Sequence, residues 1–195
     1  MRALMALSGA TALALTIACG SSPSSPSGLN GSLNVRITDS PYSDAKALLV
    51  TFSSMAAHKS AGDLDEGTWI TLPFAESATT RTCDLKKLAN AEDALGVGAL
   101  SAGHYTQLRF TVTSAVLYFD SASSGSACDP SIAPPAGRSA PVVVSSGEVK
   151  LNRPFDLAAG GSTTMLVDFD GDKSVIQMGN GDYRMTPVIG VVNVQ

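Results

Sequence analysis

The sequence predicts an all-β protein, a single sandwich of about nine to eleven short strands with one short helical crossover. Three observations carry that expectation. Apolar and polar residues alternate with period two in several stretches, most clearly in Leu100–Tyr118. The composition, with 18 glycines, 10 prolines and only 15% charged residues, suits many strands and turns over long helices. Turn-forming clusters recur along the chain, at Asp39-Ser40-Pro41, Gly160-Gly161 and Gly179-Asn180-Gly181.

Taken in order, Gly31–Thr38 sends Leu33, Val35 and Ile37 inward and ends at Pro41, which cannot continue a ladder. Lys46–Ser54 is a second strand. Leu48, Val50 and Phe52 share one face there, and Leu49 signals partial burial on the other. Ala56–Gly67 reads as a polar loop, and Thr68–Leu72 as a strand stopped by Pro73. Between Thr82 and Leu100 the period changes. Leu85 and Leu88, three apart, give a short helix one apolar edge, and the segment is expected to cross over and cover an edge of the sandwich. Gly103 then opens a tight turn pinned by Tyr105, and leads into the central strand. Along that strand His104, Thr106, Leu108, Phe110 and Val112 fall on one face, and Tyr105, Gln107, Arg109, Thr111 and Thr113 on the other.

After it, Asp120–Pro141 reads as a long Ser- and Pro-rich loop, and Val142–Ser146 with Glu148–Leu151 as a hairpin about Ser146-Gly147. Phe155–Leu157 is short. Thr163–Asp170 alternates again through Met165, Val167 and Phe169, and Val175–Met178 is a further short strand. Tyr183–Val194 closes the fold as a strand that Pro187 places at an edge or a bulge.

The N-terminus predicts an export signal over residues 1–18. Arg2 gives a positive start, and Ala3–Ala18 is uncharged and shorter than the roughly 20 residues a spanning helix needs. Leu15-Thr16-Ile17-Ala18-Cys19-Gly20 resembles a bacterial lipobox. Cys19 would then be lipidated and become the mature N-terminus, though Thr16 stands where leucine is usual. Two or three acyl chains on Cys19 anchor a protein stably. Gly20, in place of a retaining aspartate, favours the outer membrane, with a secreted form as the alternative. Residues 19–30 then serve as a Ser/Pro tether, and 31–195 as the sandwich domain.

Several phrases recur in a familiar order. They are Gly31–Val35 with Thr38–Pro41; Trp69; Asp84-Leu85 with Leu88; Ala102-Gly103-x-Tyr105-x-Gln107-Leu108-Arg109; Asp168-Phe169-Asp170; Ser174-Val175; Gly179-Asn180-Gly181-x-Tyr183; and Pro187–Ile189. Together they resemble a family of bacterial surface lipoproteins known as a domain of unknown function, number forty-three eighty-two, over roughly residues 31–192. The Ala-Gly-x-Tyr turn is also similar to transthyretin-like and carboxypeptidase-regulatory-like sandwiches, so the resemblance implies an immunoglobulin-like or transthyretin-like body. It implies no activity.

The chain carries 13 Lys and Arg against 17 Asp and Glu, a net charge of −4. No basic stripe is present to neutralise phosphates, which argues against a nucleic-acid partner. With Cys19 taken by lipid, Cys83 and Cys128 are expected to pair in an oxidising envelope. Asp168, Asp170 and Asp172, joined by Asp39 if the fold brings it close, offer hard oxygen ligands for Ca²⁺. The other reading is a solvated strand end whose carboxylates accept from turn amides. His58 and His104 stand in no H-E-x-x-H context, and no G-x-S-x-G or phosphate loop occurs. Glu66, Glu76, Glu92 and Glu148 are scattered, which gives no glycosidase pair. Trp69, flanked by Ile70 and Leu72, reads as core. The resulting expectation is a lipid-anchored envelope protein that binds a protein or glycan ligand without catalysing a reaction. A calcium-stabilised structural domain is the alternative, and a hydrolase a distant third.

Overall fold

The computed structural model describes residues 29–62 and 67–195. Residues 1–28, which hold the expected signal, Cys19 and most of the tether, lie outside the described residues, as does Glu66.

The described residues form β1 (Asn30–Ser40), β2 (Ala47–Lys59), β3 (Thr68–Thr71), β4 (Arg81–Asp84), β5 (Asp93–Ser101), β6 (Gly103–Tyr118) and β7 (Cys128–Asp129). They continue with β8 (Ser139–Val144), β9 (Glu148–Leu151), β10 (Phe155–Leu157) and β11 (Ser162–Asp170). After the one-turn helix α1 (Gly171–Ser174) come β12 (Val175–Gln177), β13 (Tyr183–Met185) and β14 (Ile189–Val194). Fourteen strands exceed the nine to eleven expected. The excess comes from stretches that the sequence shows as loops, or as one strand where the fold makes two.

Two mixed sheets pack as a sandwich. The smaller runs β14-β11-β1-β5; the larger runs β12-β13-β8-β6-β2-β4-β7, with β3 on β2 and with β9 and β10 on β6. Two pairings, β1–β11 and β8–β13, are parallel. The alternating residues fill the space between the sheets: Leu33, Val35 and Ile37 from β1, Leu48, Val50 and Phe52 from β2, and Met165, Val167 and Phe169 from β11 are all buried. Phe52 stands at the centre, edge-on to Phe110 of its own sheet (6.3 Å) and to Phe169 of the opposite one (6.2 Å).

β6 is the central strand expected, but its two faces are not those of strict alternation. Its pairing with β2 shifts register at His58/Lys59 and again between Thr51 and Ser54. The first bulge turns Tyr105 inward, onto the face of Leu108 and Phe110, and leaves His104 and Thr106 outside. Inside, Tyr105 stacks on Phe155 at 5.1 Å and its hydroxyl donates to the Ser101 carbonyl at 2.7 Å. The turn is thus pinned by Tyr105 as expected, and Gly103 takes φ of 149° there.

Four other expectations change. β2 runs on through Ala56–Lys59, read as loop, because those residues pair with both β3 and β6. Asp93–Ser101, most of it read as part of the crossover, is a strand, β5, that pairs antiparallel with β1. β8 and β9 form no hairpin: both pair with β6, at Ala115–Tyr118 and Leu108–Thr111, and β10 follows at Gly103–Tyr105. Gly147 allows this run to pass straight on, since a Cβ there would lie 2.1 Å from the Val112 carbonyl oxygen. The closing strand splits at Thr186–Val188, so that β13 belongs to the large sheet and β14 to the small one. Pro187 marks that crossing.

The crossover at Leu85–Leu88 is a single 3-10 turn packed against β1 and β2, one strand from each sheet, with Leu85 and Leu88 fully buried. Beside it Cys83 and Cys128 face each other across β4 and β7 and form a disulfide, closing a loop of 45 residues. In the chain-entropy model such a closure contributes on the order of 4 kcal/mol. Two buried charged side chains knit the same corner. Asp84 accepts from the amides of Leu48 and Lys86 (both 3.1 Å) and from the Ser123 hydroxyl (2.6 Å). Arg81 donates to the carbonyls of Ala94 (3.0 Å) and Cys128 (3.2 Å) and to Glu76 (3.0 Å).

Tyr105→Phe tests the pin at the start of β6. It keeps the ring and removes one partly buried hydrogen bond, so thermal unfolding should show a loss of about 1 kcal/mol, a few degrees in Tm. An unchanged Tm would show that the turn holds without it.

Candidate functional site

Trp69 is not core. β3 pairs with β2 so that Ile70 lies opposite the buried Ala57 and faces the interior, which leaves Trp69 and Thr71 on the outer face with His58 and Ala56. The flanking apolar residues misled because Trp69 alternates with them. Half-buried there, Trp69 carries the Arg109 guanidinium over its ring at 3.9 Å, and the His58 ring lies beside it at 4.9 Å. Arg109 pairs in turn with Glu148 at 3.4 Å, and Glu148 with Lys150 at 3.3 Å, so a polar row crosses β3, β2, β6 and β9. The Arg109 Nε is buried without a hydrogen-bond partner among the described residues. His58 is held by Thr106, Nδ1 to Oγ1 at 2.8 Å, through the hydroxyl that the bulge in β6 turns outward.

Farther along the same face the surface is closed differently. Ala47, Leu49 and Tyr118 form a second apolar cluster with Val116 and Ile132, so the 120–141 loop covers this end of the large sheet. The partial burial expected of Leu49 has that cause. The Trp69 end carries no such cover among the described residues.

Next to Trp69 the sheet has a gap. One edge of β2 pairs with β4 through Leu49–Phe52 and with β3 through Ala56–Lys59, and the Met55 carbonyl accepts the Leu72 amide at 2.9 Å, which leaves Ser53 and Ser54 between them. An opening of about 240 Å³ occupies this break, floored by Met55, Leu72, Pro73 and Phe74 and edged by Ser and Thr residues. The segment that closes it contains Glu76 and Ser77 at φ of 60° and 54°, an unfavourable conformation for residues other than glycine.

The acidic cluster is arranged otherwise than calcium requires. Asp39 lies opposite Phe169 in the β1–β11 register and is buried on the interior side, whereas Asp168 and Asp170 alternate with Phe169 and point outward. Asp170 caps α1, accepting from the Lys173 amide (2.9 Å) and ammonium (2.6 Å), and its bond to that ammonium holds its carboxyl below the usual range. Asp172 stands exposed in the first turn of α1. The four carboxylates are therefore not brought to one point. Among the described residues no three His, Cys, Asp or Glu side chains are grouped to hold a metal.

Asp39 does something else. Its Oδ1 accepts from the Gly171 amide at 3.0 Å, tying the end of β1 to α1, while Oδ2 is buried without a partner among the described residues. Burial, reinforced by the nearby Asp168 and Asp170 charges, pushes its carboxyl up to about 8. Asp168 is itself held above the usual range, by partial burial and then by the Asp170 charge.

The two histidines lie apart. His104 pairs with Asp156 at 2.8 Å on the exposed start of β6, and no hydroxyl hydrogen-bonds to that ring among the described residues. His58 has a hydroxyl partner in Thr106, and no carboxylate hydrogen-bonds to it among the described residues. Among the described residues, the hydroxyl–imidazole–carboxylate relay that nucleophilic catalysis uses is therefore not assembled at either ring.

A family model described as "Domain of unknown function (DUF4382)" matches residues 30–187. The chain belongs to this family. The match spans β1 through β13 and stops short of β14, so the DUF4382 region ends where the chain crosses from the large sheet to the small one. Comparisons with curated proteins and with solved structures return no match.

The high Asp39 value gives a pH dependence with a definite sign. The folded carboxyl keeps its proton from about pH 4 to about pH 8, where an unfolded aspartate, at 3.8, has lost it. Asp39 therefore makes stability fall as pH rises across that window. Asp39→Asn keeps the shape and cannot ionise. Thermal melts from pH 5 to pH 9 should show the wild type losing Tm relative to the variant as pH rises; parallel curves would mean that Asp39 does not carry the proton.

Proposed function

We propose that the protein is a non-catalytic binding module of the bacterial cell envelope, anchored to a membrane, most simply the outer one, through lipid on Cys19. It engages a carbohydrate ligand on the outer face of its large sheet around Trp69. The observation that supports this reading is the half-buried Trp69 with Arg109 and His58 beside it, on the end of the face that the 120–141 loop leaves uncovered. The part of the indole that Arg109 leaves uncovered offers apolar area for a sugar ring, and guanidinium, imidazole and hydroxyl groups offer hydrogen bonds to its oxygens. A tether of Ser and Pro residues would hold that face away from the lipid surface.

Two experiments test the two halves of the proposal. Labelled palmitate fed to bacteria expressing the full chain should enter the protein, and Cys19→Ser should abolish the label; label that persists in Cys19→Ser would move the lipid to another residue, and no label in the wild type would remove the anchor. On a glycan array, the lipid-free protein should retain selected sugars, and Trp69→Ala should lose at least tenfold in affinity while its Tm stays near the wild-type value. Equal retention by Trp69→Ala would move the ligand elsewhere.

A further inference from the structure

The gap in the large sheet and the Trp69 face lie on one strand, and this deepens the carbohydrate reading, on which it rests. We infer that the opening between β3 and β4 is a second subsite for the same ligand, which is a neutral oligosaccharide of at least two sugar units.

Trp69 and Thr71 both project from the outer face of β3, two residues apart, or roughly 7 Å along a strand. Thr71 is also a wall of the opening. A single sugar ring stacked on Trp69 does not reach the opening, whereas a disaccharide running along β3 does.

The chemistry of the opening fits a sugar without charge. Its floor is apolar, from Met55, Leu72, Pro73 and Phe74, and its rim carries the hydroxyls of Ser53, Ser54, Thr71 and Thr79. None of the lining residues is ionisable. The nearest carboxylate along the closing segment, Glu76, is tied to the buried Arg81 at 3.0 Å. An apolar base with surrounding hydroxyls matches the apolar face and hydroxyl rim of a pyranose, and the opening offers no counter-charge for a uronate or sulfate, while the guanidinium on the Trp69 face, Arg109, is already paired with Glu148. The opening exists because two neighbours of β2 leave Ser53 and Ser54 unshared, so it is part of the sheet's construction and requires no rearrangement to form.

Trp69 is the chain's only tryptophan, so intrinsic tryptophan emission reports this face alone. The lipid-free protein is titrated with glucose, cellobiose, cellotriose and cellotetraose, with the matching chitin oligomers, and with tetragalacturonate. A saturable change in emission should appear with one neutral series and tighten at least tenfold from the monosaccharide to the trisaccharide. Thr71→Val should abolish that gain with length while leaving the weak monosaccharide response. Thr79→Val, at the far rim, serves as a second variant should Thr71→Val fail to fold. Affinity that does not change with chain length, in a protein that does bind sugar, overturns the second subsite and leaves the carbohydrate reading standing. Tighter binding of tetragalacturonate than of every neutral oligomer overturns the neutral assignment. If no sugar shifts the emission at millimolar concentration, both readings fall together.

Discussion

The structure depends on the pairing of β6 along its whole length. Sixteen residues from Gly103 to Tyr118 meet β2 on one edge and β10, β9 and β8 in succession on the other. A strand this long can stay against one core only if it bends and coils around it, and bulges supply that by kinking the strand and increasing its local twist. The bulge at Thr106–Gln107 brings Tyr105 inside to stack on Phe155, and sets Thr106 outside where it holds His58. One irregularity thus serves both the core and the face on which Trp69 and Arg109 meet.

The large sheet is wide but not uniformly closed. At the Cys83–Cys128 end, Asp84, Arg81 and the disulfide draw β4, β5, β7 and the 3-10 turn together. These are buried charges satisfied on several sides, so removing one partner leaves others unpaired, at a cost of about 3 kcal/mol or more. At the other end β3 and β4 do not meet along β2. A rigid corner next to an open one is a common arrangement for a recognition surface, because the scaffold supplies geometry without supplying cover.

The opposite end of β1 shows how the two sheets are joined. Asp39 accepts from Gly171, and Ser174 donates to the Asp170 carbonyl while receiving the Val188 amide at 2.9 Å. The Thr186 amide also donates to the Ser174 carbonyl, at 3.0 Å. The Asp-rich stretch therefore serves as a joint between β11, β12 and β14. Its short side chains satisfy turn amides, the second of the two roles its composition allowed.

What the sequence determined by itself was local and periodic. The sandwich class, the inward faces of β1, β2 and β11, the turns at Gly160-Gly161 and Gly179-Asn180-Gly181, the Tyr105 pin and the Cys83–Cys128 pair all follow from residue spacing, turn chemistry or the expectation that sets Cys19 aside. The family membership also followed, from the order of short phrases. What only the tertiary structure decided was which strands are neighbours. A bulge inverts the face of every residue beyond it, so Tyr105 and Thr106 were assigned to the wrong sides. Trp69 was misplaced for a related reason: its neighbours Ile70 and Leu72 advertise burial, but the register with β2 decides which alternate residues face the core. The gap beside it depends on two consecutive strands, β3 and β4, pairing with separate stretches of one edge of β2, a fact of pairing that no local pattern encodes.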